Sequence, residues 1–212
     1  LGSKRLGYKR VAYKRKIIIY SILSVIAAVA LYSAKNEVMP VDSVKSLNLA
    51  LSHPIKSFDP AIAFNDDSLT VIGQSLETLY QYHYLKRPYE VIPALATALP
   101  QLSNAGKTYT ITIKDKVAYH PSKGLFAGKE RYVQAQDFIN QIKRLAFTPL
   151  KSTGAWLFSG KIKGFDEFGK VVSGDYQKML STPMKGITAL DKHTLKIELT
   201  RPEPNMLYFL SM

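Results

Sequence analysis

Apolar and polar positions alternate with two different periods along this chain, and the changes of period outline its elements. Over residues 108–114 (TYTITIK) the alternation is strict. Tyr109, Ile111 and Ile113 are therefore expected on one face of a strand, and Thr108, Thr110, Thr112 and Lys114 on the other. Residues 187–190 and 194–200 (TLKIELT) predict a strand pair joined through Asp191-Lys192-His193, and Arg201-Pro202-Glu203-Pro204 ends its second strand. Leu47-Asn48-Leu49-Ala50-Leu51 alternates too and predicts a strand, and 116–119 predicts a short one. Elsewhere the period lengthens. Leu69, Ile72, Leu76 and Leu79 share a helical face, which predicts a helix over 68–80 with Asp66, Asp67 and Ser68 as candidate N-caps. Ala135, Phe138, Ile139, Ile142, Leu145 and Ala146 form an apolar stripe of about three turns that stops before Thr148-Pro149.

Between these elements lie breakers. His53-Pro54 and Phe58-Asp59-Pro60 predict an extended loop, because residues before proline avoid the helical region. Residues 88–100 are punctuated by proline, with Ile92, Leu95 and Leu99 apolar, and Asn104-Ala105-Gly106 is a turn. Residues 147–174, rich in Gly and aromatics, predict loop with short helical pieces around 166–170. The chain is therefore mixed, α/β or α+β, with strands that come from distant parts of the sequence.

The amino-terminal pattern is different in kind. Residues 17–34 (IIIYSILSVIAAVALYSA) carry no charge and no proline. Lys4, Arg5, Lys9, Arg10, Lys14, Arg15 and Lys16 precede them, and no acid occurs among the first 34 residues. A basic leader over 1–16 before such a run is an export or membrane-insertion signal. Two endings stay open. Ala28-Val29-Ala30 fits a cleavage site. An intact run at ~1.5 Å per residue spans ~27 Å, enough to cross a bilayer core as an anchor. Either way the leader stays cytoplasmic, and whatever follows Lys35, beginning with the polar linker 35–46 and its Pro40, is expected to work on the far side of a membrane. With no cysteine after the run, a lipoprotein anchor is excluded. The chain opens on Leu1 and stops inside the apolar run 205–212, as expected of a fragment.

Charge changes the picture less than its size implies. The net +13 invites a nucleic-acid reading. Seven of the 29 basic residues sit in the leader, and the rest interleave with all 16 acids as a solvated surface does. No nucleic acid is expected as partner. The absence of cysteine excludes disulfides, thiolate metal sites and a cysteine nucleophile. His53, His83, His120 and His193 are scattered singly, so no metal site is expected. Neither a phosphate-binding loop, nor H-E-x-x-H, nor a G-x-S-x-G elbow is present. Asp66-Asp67 and Asp166-Glu167 are adjacent acids that diverge on a helix. With no catalytic constellation and no cofactor expected, a binding protein is favoured over an enzyme. Trp156, within Gly154-Ala155-Trp156-Leu157-Phe158, either lines a binding cleft or anchors a long loop to the core.

Several segments, read in order, resemble the family 5 extracellular solute-binding proteins, the oligopeptide- and dipeptide-binding components of bacterial ABC importers. Phe58-Asp59-Pro60 is similar to that family's early Leu-Asp-Pro. Ile92-Pro93-Ala94-Leu95-Ala96 matches its Pro-x-Leu-Ala, and Gly106-Lys107-Thr108-Tyr109-Thr110-Ile111 its Gly-x-x-Tyr-Thr-Phe strand. Ala135-Gln136-Asp137-Phe138, with Arg144-Leu145, resembles its Ala-x-Asp-Phe … Arg-Leu helix, although Gln134 stands where a better-capping Thr is usual. Gly186-Ile187-Thr188-Ala189-Leu190-Asp191, with Thr194-Leu195, resembles its Gly-Val-x-Ala-Leu-Asp-x-x-Thr-Leu segment.

The resemblance implies the first part of a two-lobed periplasmic-binding fold, type II-like with an extra subdomain. The chain would then divide into 47–60, the first strand of the main lobe; 61–185, the extra subdomain; and 186–212, the return to the main lobe. It implies a non-catalytic monomer capturing short peptides for an inner-membrane ABC permease, at the extracytoplasmic face. Nickel, haem or sugar as ligand, or a membrane-tethered sensor or chaperone, are the alternatives. Ser52, His53 and Pro54 match the family segment that borders the ligand. Asn140 matches a helix position that contacts ligand in some members.

Overall fold

The computed structural model describes residues 23–25, 27, 47–121, 124 and 126–212. The expected leader, most of the apolar run and the linker lie outside the described residues. Contacts divide the chain into two units, Leu1–Ala50 and Leu51–Met212. In the first, Leu23, Ser24, Val25 and Ala27 are helical and exposed, and residues 47–50 have no regular structure. No helix among the described residues is long and apolar enough to cross a membrane.

The second unit is built on a four-stranded antiparallel sheet in the order β3-β4-β6-β5. Its strands are β3 (Gln101–Ser103), β4 (Thr108–Thr112), β5 (Ile187–Ala189) and β6 (Thr194–Glu198). The period-2 pattern fixes the register. Tyr109 lies opposite Ile197, and Ile111 opposite Leu195; Ile187 also pairs with Ile197. All of these are buried, together with Ile113 and Leu199. A one-residue slip would turn this whole set to the other face. A separate two-stranded ladder joins β1 (Tyr80–Tyr82) to β2 (Val91–Pro93). The expected mix of helix and strand stands. Every ladder named here is antiparallel, an α+β arrangement.

Helix α2 (Ala135–Ala146) covers the sheet with its apolar stripe: Ala135, Ile139, Ile142 and Ala146 are buried. At its start the Asp137 carboxylate accepts the Gln134 backbone N–H at 2.8 Å, so the acid compensates for a weak cap. Ala135 N–H donates to the carbonyl of Lys192 at 2.8 Å, tying the helix to the β5–β6 turn. That turn is held by Asp191, which accepts from His193 N–H at 2.7 Å and from the Thr194 hydroxyl at 2.8 Å. These bonds, the His193 N–H foremost, hold its carboxyl below the usual range. Helices α3 (Phe165–Val172) and α4 (Tyr176–Ser181) complete the layer, and α5 (Met206–Phe209) follows the sheet.

The structure corrects several expectations. Residues 47–51 form no strand. Leu47, Leu49 and Leu51 are 80%, 76% and 44% exposed, and no described strand pairs with them, so alternation alone built nothing. The helix expected over 68–80 is α1 (Asp66–Gly73) and ends at Gly73, a poor helix former. Leu69 and Leu76 are exposed, while Ile72 and Leu79 are buried. Residues 116–119 supply only a single bridge, Ala118 to Tyr132. Thr108, expected outside, is buried. Helix α4, which the sequence pattern did not predict, is capped by Asp175, whose carboxylate accepts from Lys178 N–H at 3.0 Å.

Candidate ligand-binding site

The segment 52–54 has no regular secondary structure, so its backbone groups need partners elsewhere. Helix α1 supplies them. The Asp67 carboxylate accepts the N–H of His53 at 2.6 Å and that of Ser52 at 3.4 Å, and it meets His53 Nδ1 at 3.2 Å. Asn65 Nδ2 donates to the carbonyl of Pro54 at 3.3 Å. Asp66, Asp67 and Ser68 were the expected caps of α1. Asn65 instead occupies the cap position, and its side chain makes no capping bond. Asp67 turns away to the segment, and the Ser68 hydroxyl accepts the N–H of Lys56 at 3.0 Å.

Downstream, residues 57–63 are fastened to α2 and the loop beyond it. Asp59 closes its own turn, accepting Ala61 N–H at 3.0 Å, and forms an ion pair with Arg144. Ser152 Oγ donates to the Ala61 carbonyl at 2.6 Å, and Thr153 Oγ1 to that of Ala63 at 3.2 Å. Asn140 lies one turn before Arg144 on the same helical face. Its Oδ1 accepts from Gln136 Nε2 at 2.8 Å. Thus Gln136, Asn140 and Arg144 make a polar stripe, and its last member grips the loop that leads back to Ser52–Pro54 along the chain.

Trp156 stands apart from this group. It is 58% exposed, so the described residues do not enclose it in the core. Its ring meets Phe209 edge-on at 5.8 Å between centroids, and its carbonyl accepts from Lys161 Nζ at 2.7 Å. No contact seen among the described residues joins it to 52–54 or to Asn140. A cavity of about 540 Å³ opens elsewhere, between residues 86–91 and Pro204, Leu207 and Tyr208. There Tyr208 stacks on Tyr82 at 6.0 Å, and the Arg87 guanidinium lies 4.3 Å from the centre of the Tyr89 ring. None of the five predicted site residues lines it. Among the described residues, no group of three His, Cys, Asp or Glu side chains is placed to hold a metal ion.

Sequence reasoning missed Asp67 and Arg144 as the residues that fasten these loops. The Asp-Pro turn and the Arg on the apolar helix were both visible. Nothing in their spacing, 85 residues apart, shows that they pair.

Residues 90–212 match the family model described as bacterial extracellular solute-binding proteins, family 5 Middle. The periplasmic murein peptide-binding protein MppA of Escherichia coli K12 is 30% identical over 149 residues, covering 70% of this chain and 24% of that protein. The pheromone receptor PrgZ, solved with its mode of peptide binding, is similar in structure with a TM-score of 0.58 and 29% identity. That match covers 75% of this chain and 28% of PrgZ. Listeria monocytogenes OppA bound to peptide gives a TM-score of 0.60 at 25% identity, over 78% of this chain and 29% of OppA. The chain therefore spans about a quarter of the length of these relatives.

Proposed function

The chain belongs to the bacterial extracellular solute-binding proteins of family 5, and from that premise we propose that it is part of an extracytoplasmic receptor that captures short peptides for an inner-membrane ABC permease. The observation that carries this reading is the family match over 90–212, joined to a fold similar to that of a peptide-bound OppA. Capture leaves the peptide chemically unchanged. The protein acts as a monomer without cofactor, and its amino-terminal signal or anchor places it in the periplasm or at the outer face of the membrane.

In this reading the whole protein has two lobes that close on ligand about a hinge. Residues 47–60 and 186–212 belong to the main lobe, and 61–185 form the extra subdomain. Main-chain groups of the protein hold the main chain of the peptide, as in strand addition, so affinity does not require one peptide sequence. Ser52, His53 and Pro54 border the ligand. Asn140 faces it from α2 and Trp156 lines the cleft. The exposed imidazole of His53, 74% accessible while its backbone N–H is pinned, is consistent with a segment presented outward.

Isothermal titration of the full-length protein with a pool of short random peptides tests the proposal. Saturable heats are expected. No heat with any member of the pool would overturn peptide capture, and nickel and haem would then be titrated next.

A further inference from the structure

We propose that Asp67 is a positioning residue for the segment Ser52–Pro54: its carboxylate, not the segment's own turn chemistry, sets where those backbone groups point. This rests on the reading that the segment borders the ligand.

Three features support it. First, one side chain satisfies two consecutive backbone N–H groups and meets the ring of His53, at 3.4, 2.6 and 3.2 Å. A charged acceptor makes stronger bonds than a neutral one. Second, the two partners differ in exposure. The Asp67 side chain is only 14% exposed while that of His53 is 74% exposed, so the acid is the fixed member and the segment the presented one. Third, the anchor itself is rigid. Asp67 sits in the first turn of α1, whose Ile72 is buried, and the adjacent Ser68 is fully buried and bonded to Lys56. Asn65, one residue before the helix, holds the Pro54 carbonyl, so α1 grips the segment from both its N–H and its C=O sides. Neither Ser52 nor His53 finds a backbone carbonyl for its N–H among the described residues, so loss of the carboxylate frees them. A ligand that hydrogen-bonds to backbone depends on such groups being held before it arrives, because ordering them on binding costs affinity.

The test uses the full-length protein and three substitutions, Asp67→Asn, Asp67→Glu and Ser68→Ala. Amide hydrogen exchange at Ser52 and His53 is read beside titration with the random-peptide pool. Asp67→Asn keeps the shape but loses the charge and one acceptor, so exchange at both amides should quicken at least ~10-fold. Peptide affinity should fall by ~10-fold. Asp67→Glu should recover most of both. Ser68→Ala weakens the same helix start at Lys56 and should leave the two amides protected, which separates positioning from general loosening. Unchanged exchange at Ser52 and His53 in Asp67→Asn overturns the proposal, whatever the titration shows. Faster exchange with undiminished peptide binding overturns the positioning role in capture. If the unsubstituted protein binds no peptide, the reading of the function fails instead, and exchange alone decides whether Asp67 sets the segment.

Discussion

Lys143 is the one charged residue the structure buries, at 4% exposure among the described side chains. Its Nζ donates to the Leu180 carbonyl at 3.1 Å, at the C-terminal end of α4, and lies 5.7 Å from the centre of the Phe168 ring. A helix C-terminus and an aromatic face both favour a cation. Burial disfavours it and lowers the amine below the ordinary lysine range. With the folded value depressed, the unfolded chain binds more protons in the interval between the two. The contribution of Lys143 to stability therefore rises with pH as the amine loses its charge. Lys143→Ala should cost about 2 kcal/mol near neutrality, from lost packing and the lost hydrogen bond. The deficit should widen as the pH is raised from neutrality toward the unfolded value near 10.4. Urea unfolding across that range reads it, and a deficit that shrinks would contradict burial as the cause. Nothing in the sequence marked this lysine, since a polar position beside an apolar stripe is normally solvated.

At the scale of elements, the strands that the pattern identified are those that tertiary pairing reinforces. Ile197 sits on β6 between β4 and β5 and is fully buried; Leu102, on the edge strand β3, is 57% exposed. Ile197→Ala should cost about 3 kcal/mol and Leu102→Ala less than about 0.5 kcal/mol, both measured by urea unfolding. Comparable losses would mean that the sheet order is wrong. Gly186, just before β5, allows a close approach. A Cβ there would lie 2.5 Å from the Lys163 carbonyl oxygen. Gly186→Ala should thus destabilise by about 1–3 kcal/mol through forced displacement of that backbone, read as a lowered thermal midpoint. Strict alternation was legible where a neighbour existed on each side, as for β4 and β6. It misled at 47–51, where the same pattern has no partner strand among the described residues. The helix pattern over 68–80 overran because four apolar residues at the right spacing say nothing about Gly73 between them. Helix α4 was overlooked because a six-residue helix offers too few turns for a period to show.

For the whole molecule, capture of a ligand predicts mass-action stabilisation. At a concentration ~100 times the dissociation constant, a bound peptide should stabilise the full-length protein by ~2.7 kcal/mol. Differential scanning fluorimetry across a peptide dilution series should show a midpoint that climbs with concentration; a flat midpoint would count against capture. The same scale governs the amino terminus. Fractionation of cells should recover the protein either processed and soluble or unprocessed in the membrane fraction. Recovery from the cytoplasm would contradict the export reading of residues 1–34.

The sequence alone determined the period of each main strand and of α2, the ordered motifs that carry the family likeness, and the charged leader before an apolar run. These depend only on neighbours a few residues apart. Tertiary structure decided which patterned segments found partners and that Lys143 is enclosed. It also decided that Asp59 reaches Arg144 and that Asp67 turns from its helix to hold Ser52 and His53. Such contacts join groups from 14 to 85 residues apart. Chain closure over those distances is set by how α1, α2 and the sheet pack together, and no local pattern encodes that.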